Sequence, residues 1–218
     1  MYYLRVDRAT DPGITAFVLA GGKSARMGTD KAFLQLGGGT LLTRALELAG
    51  AVTRDVWIGG DARKFAAFGR VVEDVYRDCG PLGGIHAALS RTTNELNLML
   101  AVDLPFVELR FLHYLIARSA EEGAVVTVPR TAGGLQPLCA VYQRAFVEVA
   151  ERSLREGRNK IDALFSAVET RVIAEEELSR QGFSEEMFRN LNTPEELRQA
   201  ELNHPSTSVK AGSGHRGD

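Results

Sequence analysis

A chain of 218 residues, 44% hydrophobic and 25% charged, has the balance of a globular protein and enough length to bury a sizeable core. Its formal charge of −2 excludes a global field for nucleic acid, so any anion site has to be built from local charge. Two distant cysteines, Cys79 and Cys139, no membrane-length apolar run and a charged opening segment argue against a disulfide scaffold, a zinc site, a membrane span and a signal peptide, and for a cytoplasmic setting.

Taken in chain order, residues 1–13 read as an extension, and the apolar run 14–20 reads as a buried strand. Helical spacing follows at 41–48, with Thr40 placed to cap it. A short strand at 56–58 leads to a brief helix from Asp61, and a further strand is expected at Val71 and Val72. A glycine loop at 80–84 opens a helix over 82–89. The nearly continuous apolar run 96–102 suits the centre of a parallel sheet. A helix over 111–120, strands at 124–128 and 138–142, a helix over 145–154 and a strand at 168–173 complete the alternation. Pro194 is expected to open a last helix, and the Ser-, Gly- and Pro-rich residues 203–218 read as a disordered tail. The pattern predicts an α/β fold, a Rossmann-like three-layer sandwich with a mostly parallel sheet. The expected organisation is a single domain over 14–202, with a first half at about 14–105 and a second half at about 106–202.

The most informative segment is 14–31, ITAFVLAGGKSARMGTDK. A buried strand empties into two glycines and then into Lys23, Arg26 and Lys31, opposed only by Asp30. Backbone amides and cations concentrated at a strand end suit a polyphosphate. The loop is neither a Walker A motif, which would need glycine at Phe17, nor a G-x-G-x-x-G dinucleotide fingerprint. Asp103 closes the 96–102 run where open α/β sheets bind ligands, and a carboxylate there can hold magnesium with phosphate oxygens. As a helix cap it sits one residue too early, because Pro105 in the first helical position would make Leu104 the cap. Arg26 and Lys31 are candidate phosphate clamps. Asp74, after the strand at Val71 and Val72, reads as a loop acid or as an acceptor for a base with two adjacent N–H donors, such as guanine, and Asp78 close by offers the same chemistry. Gly80, Pro81 and Gly83 belong to a second glycine loop that lets a ligand approach a helix start. His86 and His113 lie within helices and read as packing or surface residues.

The ordered set resembles the molybdenum cofactor guanylyltransferase family, which makes molybdopterin-guanine dinucleotide within the nucleotidyltransferase superfamily. The resemblance is carried by LAGGKSARMG at 19–28 with Asp30-Lys31, Glu73-Asp74, GPLGGI at 80–85, DLPF at 103–106 and NTPEEL at 192–197, nearly the whole chain. It implies a nucleotide-diphospho-sugar transferase-like fold and transfer of GMP from GTP to the molybdopterin-bound cofactor with release of pyrophosphate. By resemblance, Leu19, Ala20, Gly21 and Gly22 meet the nucleotide, with Lys31 and Asp74, and Asp103 is the Mg(2+) ligand. Gln136, Pro137, Arg158, Asn190 and Asn192 fall in segments similar to those used around molybdopterin, although Asn192 also reads as an N-cap before Pro194. Relatives often carry an asparagine near Gly59-Gly60, where this chain offers backbone only. Transient contact with molybdoenzymes or their chaperones is a further implied partnership. The alternatives are a cytidylyltransferase on the same pterin, a sugar-phosphate nucleotidyltransferase, and a non-catalytic nucleotide sensor or delivery partner.

Overall fold

The structure is a computed structural model that describes residues 13–21, 30–191 and 196. The expected N-terminal extension (Gly13 excepted), the helix at Pro194, the tail, and Gly22, Arg26 and Asn192 lie outside the described residues.

In chain order the strands are β1 (Ile14–Leu19), β2 (Gln35–Leu36), β3 (Gly39–Thr40), β4 (Val56–Gly59), β5 (Arg70–Val72), β6 (Leu96–Ala101), β7 (Val126–Thr131), β8 (Gly134–Leu135), β9 (Cys139–Gln143) and β10 (Thr170–Ile173). The helices are α1 (Leu41–Val52), α2 (Ala62–Phe65), α3 (Pro81–Arg91), α4 (Leu109–Glu122), α5 (Phe146–Arg155) and α6 (Glu175–Arg180). Short 3-10 turns occupy Lys31–Phe33, Asp162–Ala167 and Glu185–Phe188. Among the described residues, one sheet runs in the order β10-β7-β9-β6-β1-β4-β5, with β8 paired to β7. All pairings along that order are parallel except those of β9, which runs antiparallel to both β6 and β7.

β1 shows why the sheet is covered on both sides. Ala16 and Val18 belong to a core with Leu42, Ala45, Phe111 and Leu115 from α1 and α4, whereas Phe17 belongs to a second core with Leu82, Ile85 and Leu89 from α3 and Phe146 from α5. Successive strand residues face opposite sides, so a strand covered twice has to be apolar throughout. That accounts for the unbroken runs in β1 and β6, which contact each other at the centre of the sheet. Asn97 interrupts the run at no exposure because its amide donates to the carbonyls of Asn94, Glu95 and Tyr142. At the amino-terminal edge of the sheet, Asp55 accepts hydrogen bonds from Thr15 (2.7 Å), Trp57 (3.1 Å) and Arg70 (2.6 Å), tying β1, β4 and β5 together.

The structure departs from expectation at several points. Gly37 and Gly38, at φ 59° and 89°, turn β2 into β3, a two-residue hairpin that requires positive φ at both positions. Pro105 does not open a helix and Leu104 is not a cap. Residues 101–107 form successive turns, Leu104 N–H donating to Ala101 and Val107 N–H to Leu104, and α4 starts at Leu109 after Glu108. The turns bury Val102, Leu104 and Val107 against the α1–α4 core.

Thr40 caps α1 as expected: its Oγ1 accepts from Thr43 N–H at 3.1 Å. Thr40→Ala should cost about 1 kcal/mol and lower the melting temperature by about 2–4 °C, measured by thermal denaturation. An unchanged melting temperature would show that the cap carries no weight.

Candidate active site at the carboxyl edge of β1 and β6

The chain leaves β1 for β4 and β5 on one side and returns to β6 on the other, so the strand order reverses between β1 and β6. Open α/β sheets bind ligands at such a point, beyond the strand carboxyl ends. Here the two ends are stitched together. Val102 N–H donates to the Leu19 carbonyl at 3.1 Å, and the register runs to Leu19 opposite Ala101.

Two expected residues meet at this edge. Lys31, first residue of its 3-10 turn, places its Nζ 3.7 Å from Oδ2 of Asp103, and each side chain retains about a quarter of its exposure (24% and 23%). The Asp103 carbonyl accepts from Leu191 N–H at 3.1 Å, which draws Asn190, itself exposed, to the same turn. Asp103 stands without a cluster of three or more metal-ligating side chains among the described residues. A lone carboxylate suits a magnesium ion, which keeps waters and shares phosphate oxygens, and does not suit an all-protein metal cage.

Residues 19–21 supply backbone, but their donors are already engaged. Ala20 and Gly21 N–H both donate to the Gly59 carbonyl, at 2.9 and 3.0 Å. The Ala20 and Gly21 amides are therefore not free for the expected grip on a phosphate. The Leu19 side chain fills the space over β4, where a Cβ on Gly59 would sit 2.9 Å from Leu19 Cδ2. Gly59 thus acts through its carbonyl and its lack of bulk, consistent with the missing asparagine.

Asp74 lies two residues past the end of β5 and approaches the end of β1 from that side. Its Oδ1 and the Leu19 Cδ2 both border Gly84, within 3.7 and 3.8 Å of where a Cβ there would lie. Burial pushes the Asp74 carboxyl above its ordinary range. The adjacent Glu73 turns away, accepting from Ala62 N–H at the start of α2 at 3.1 Å. Asp78 lies exposed at φ 60°. Of the second glycine loop, Gly80 and Pro81 are exposed at the α3 start, but Gly83 is buried. A Cβ at Gly83 would lie 2.7 Å from the Tyr76 carbonyl oxygen, so its missing side chain admits the chain's own backbone, not a ligand. His86 packs as expected: it is buried, edge-on to Tyr76 at 5.0 Å, and burial lowers its pKa.

The segments of the second half reach the same edge by topology. β9 runs antiparallel to β6, with Cys139 opposite Leu100, so Gln136 and Pro137 enter it beside the end of β6. The Gln136 amide donates to Thr131 Oγ1 at 3.1 Å, and the buried Tyr142 hydroxyl donates to the Pro137 carbonyl at 2.8 Å. Arg158 follows α5, exposed and paired with Glu156. Tyr76 links the two halves through its hydroxyl, which donates to Glu151 of α5 at 3.4 Å. The bond from Glu73 to α2, the link made by Tyr76 and the packing of the Leu19 side chain escaped the sequence reading, because they exist only through partners distant in the chain.

Residues 16–172 match the MobA-like NTP transferase domain. A probable molybdenum cofactor guanylyltransferase of Pelotomaculum thermopropionicum is 37% identical over 190 residues, 86% of this chain and 92% of the relative. The molybdenum cofactor guanylyltransferase of Desulfosudis oleivorans is 35% identical over 202 residues, 91% and 97% of the two chains. Among solved structures, molybdopterin-guanine dinucleotide biosynthesis protein A from Archaeoglobus fulgidus superposes with a TM-score of 0.76 at 26% identity, covering 87% of this chain and 97% of its own. A 2-C-methyl-D-erythritol 4-phosphate cytidylyltransferase from Thermus thermophilus, at 16% identity and a TM-score of 0.62 over 86% and 96% of the chains, shares the fold. No helix among the described residues is long and apolar enough to cross a membrane.

The raised Asp74 pKa sets a stability prediction. A carboxyl whose folded pKa exceeds its unfolded value loses stability as pH rises between the two, and the loss persists above the folded pKa. Asp74→Asn should therefore stabilise the ligand-free protein at pH 7, with the gain shrinking as pH falls toward the unfolded value near 3.8. Denaturant unfolding at several pH values measures this, and a gain independent of pH would refute it.

Proposed function

The chain belongs to the family of MobA-like NTP transferase domains, and from that membership we propose that it transfers GMP from GTP to the molybdopterin-bound molybdenum cofactor. The products are the molybdopterin guanine dinucleotide cofactor and pyrophosphate. The observation that carries this reading is the meeting of Lys31 with Asp103 at the β1–β6 reversal, with the half-buried carboxylate of Asp74 bordering Gly84 near the Leu19 side chain at the end of β1. The names borne by relatives 37% and 35% identical over most of their length support the same substrates.

An oxygen of the pterin's terminal phosphate attacks the α-phosphorus of GTP, the bond from that phosphorus to the β-phosphate oxygen breaks, and pyrophosphate leaves. The attacking oxygen is already anionic at neutral pH, so no side chain has to remove a proton, and the chain's contribution is positioning and charge. Lys31 and Arg26 neutralise the triphosphate as charge builds on the leaving group. Asp74, when ionised, accepts from the two adjacent N–H donors on guanine's Watson–Crick edge. Cytosine presents one amino group there beside an acceptor that a carboxylate repels. Gly80 and Pro81 flank the nucleotide at the start of α3. Magnesium bound by Asp103 and phosphate oxygens would supply Lewis-acid neutralisation of the triphosphate. Gln136, Pro137, Arg158, Asn190 and Asn192 are assigned to the molybdopterin side, and an exposed guanidinium such as Arg158 suits its phosphate.

The test offers purified protein GTP, magnesium and molybdopterin. The expected result is pyrophosphate release and a guanine dinucleotide product, with GTP raising the melting temperature more than CTP. Absence of pyrophosphate beside an active relative would sink the reading, and preference for CTP would replace guanine with cytosine. Asp103→Ala should reduce turnover by at least about a hundredfold, and full activity in that variant would remove Asp103 from the site.

A further inference from the structure

The loop that follows β1 carries one acid. Between residues 22 and 31, Asp30 is the sole carboxylate among Lys23, Arg26 and Lys31, and it directly precedes Lys31. A free carboxylate there would draw the neighbouring cation and weaken the field offered to a polyphosphate. The structure gives both of its oxygens other work. Oδ1 accepts from Ala32 N–H at 3.2 Å, closing the turn that carries Lys31, and Oδ2 meets Lys64 Nζ of α2 at 2.7 Å. Lys31 points its Nζ to Asp103. The same turn is attached to α2 and the turn after it by a second contact, Phe33 lying 5.8 Å from the Phe65 ring and 5.7 Å from the Phe68 ring.

We propose that Lys64 and Asp30 form a charge-compensating positioning pair, in which Lys64 neutralises the single acid of the loop and fixes the turn so that Lys31 faces Asp103. This rests on the reading of Lys31 as a phosphate clamp. The pair is half-exposed on the lysine side, 51% against 20% for Asp30, and such pairs contribute little to global stability. Its effect is therefore on the local field, and a charge change at Lys64 is separable from unfolding. Lys64 touches no reacting group and acts through Asp30.

The experiment compares Lys64→Gln, Lys64→Arg, Asp30→Asn with Lys64→Gln, and Lys31→Ala, reading kcat, KM for GTP, GTP affinity by thermal shift, and melting temperature without ligand. Lys64→Gln should raise the KM for GTP and lower kcat/KM by roughly ten- to a hundredfold, the order that a displaced clamp costs, with an unchanged ligand-free melting temperature. Lys64→Arg should retain most activity. Adding Asp30→Asn to Lys64→Gln should recover several-fold of the loss, because the unpaired acid is gone, and the defect relative to wild type should shrink at high ionic strength. Wild-type kcat/KM in Lys64→Gln, or no recovery in the double variant, overturns the pairing. If Lys31→Ala loses activity while Lys64→Gln does not, only this inference falls. If Lys31→Ala keeps full activity, the clamp reading falls first.

Discussion

The parallel pairing of β1 with β6 is the constraint on which the rest depends. Six residues of each strand are in register, from Ile14 opposite Leu96 to Leu19 opposite Ala101, and Val102 N–H extends the ladder by one bond to Leu19. Because the pairing runs to the last residue, the loop leaving β1 and the acid leaving β6 emerge side by side. A slip of two residues would keep the faces of both strands buried but would move Asp103 by about 6.6 Å along the sheet, beyond reach of Lys31. Burial alone does not exclude that slip, but Thr15 of β1 bonds both Asp55 and Asn94, just before β6, and so fixes the opposite edge.

The packing at that edge is shaped largely by small groups and by backbone. Gly59 makes room for Leu19, Gly84 borders both Leu19 and Asp74, and Gly83 makes room for the Tyr76 carbonyl. The short helix α2 braces this arrangement from outside. Glu73 caps its first amide, Phe65 packs with Phe33, and Lys64 reaches Asp30. A four-residue helix has little stability of its own, so α2 persists through these tertiary contacts and in return joins the turn after β1 to the segment after β5 that carries Glu73 and Asp74. Tyr76 makes a comparable link from the Asp74 loop to α5.

For nucleotidyl transfer this design puts the burden on placement of charge. Lys31 and Asp103 have opposite sign and lie 3.7 Å apart, so in the proposed reaction a triphosphate and its cation are matched at once by a cation and an anion on the protein. Asp74 is already partly desolvated, which costs energy when it is ionised and alone. In the proposed reaction guanine's two donors would offset that cost on binding, and the penalty would then serve discrimination.

The sequence alone determined the alternation of strands and helices, the doubly covered runs of β1 and β6, the Thr40 cap, and the cations and acids at strand ends. Each of these signals is local: periodicity, capping chemistry, or a charge beside an apolar run. The Gly37-Gly38 hairpin was also legible in principle, since paired glycines between short segments signal such a turn. Only the tertiary structure decided that β9 runs antiparallel, that the residues after Asp103 form turns, that Gly83 is buried under Tyr76, and that the Gly21 amide is spent on Gly59. These outcomes depend on which group arrives from a distant part of the chain to satisfy a hydrogen bond or fill a space, and no local pattern encodes that arrival.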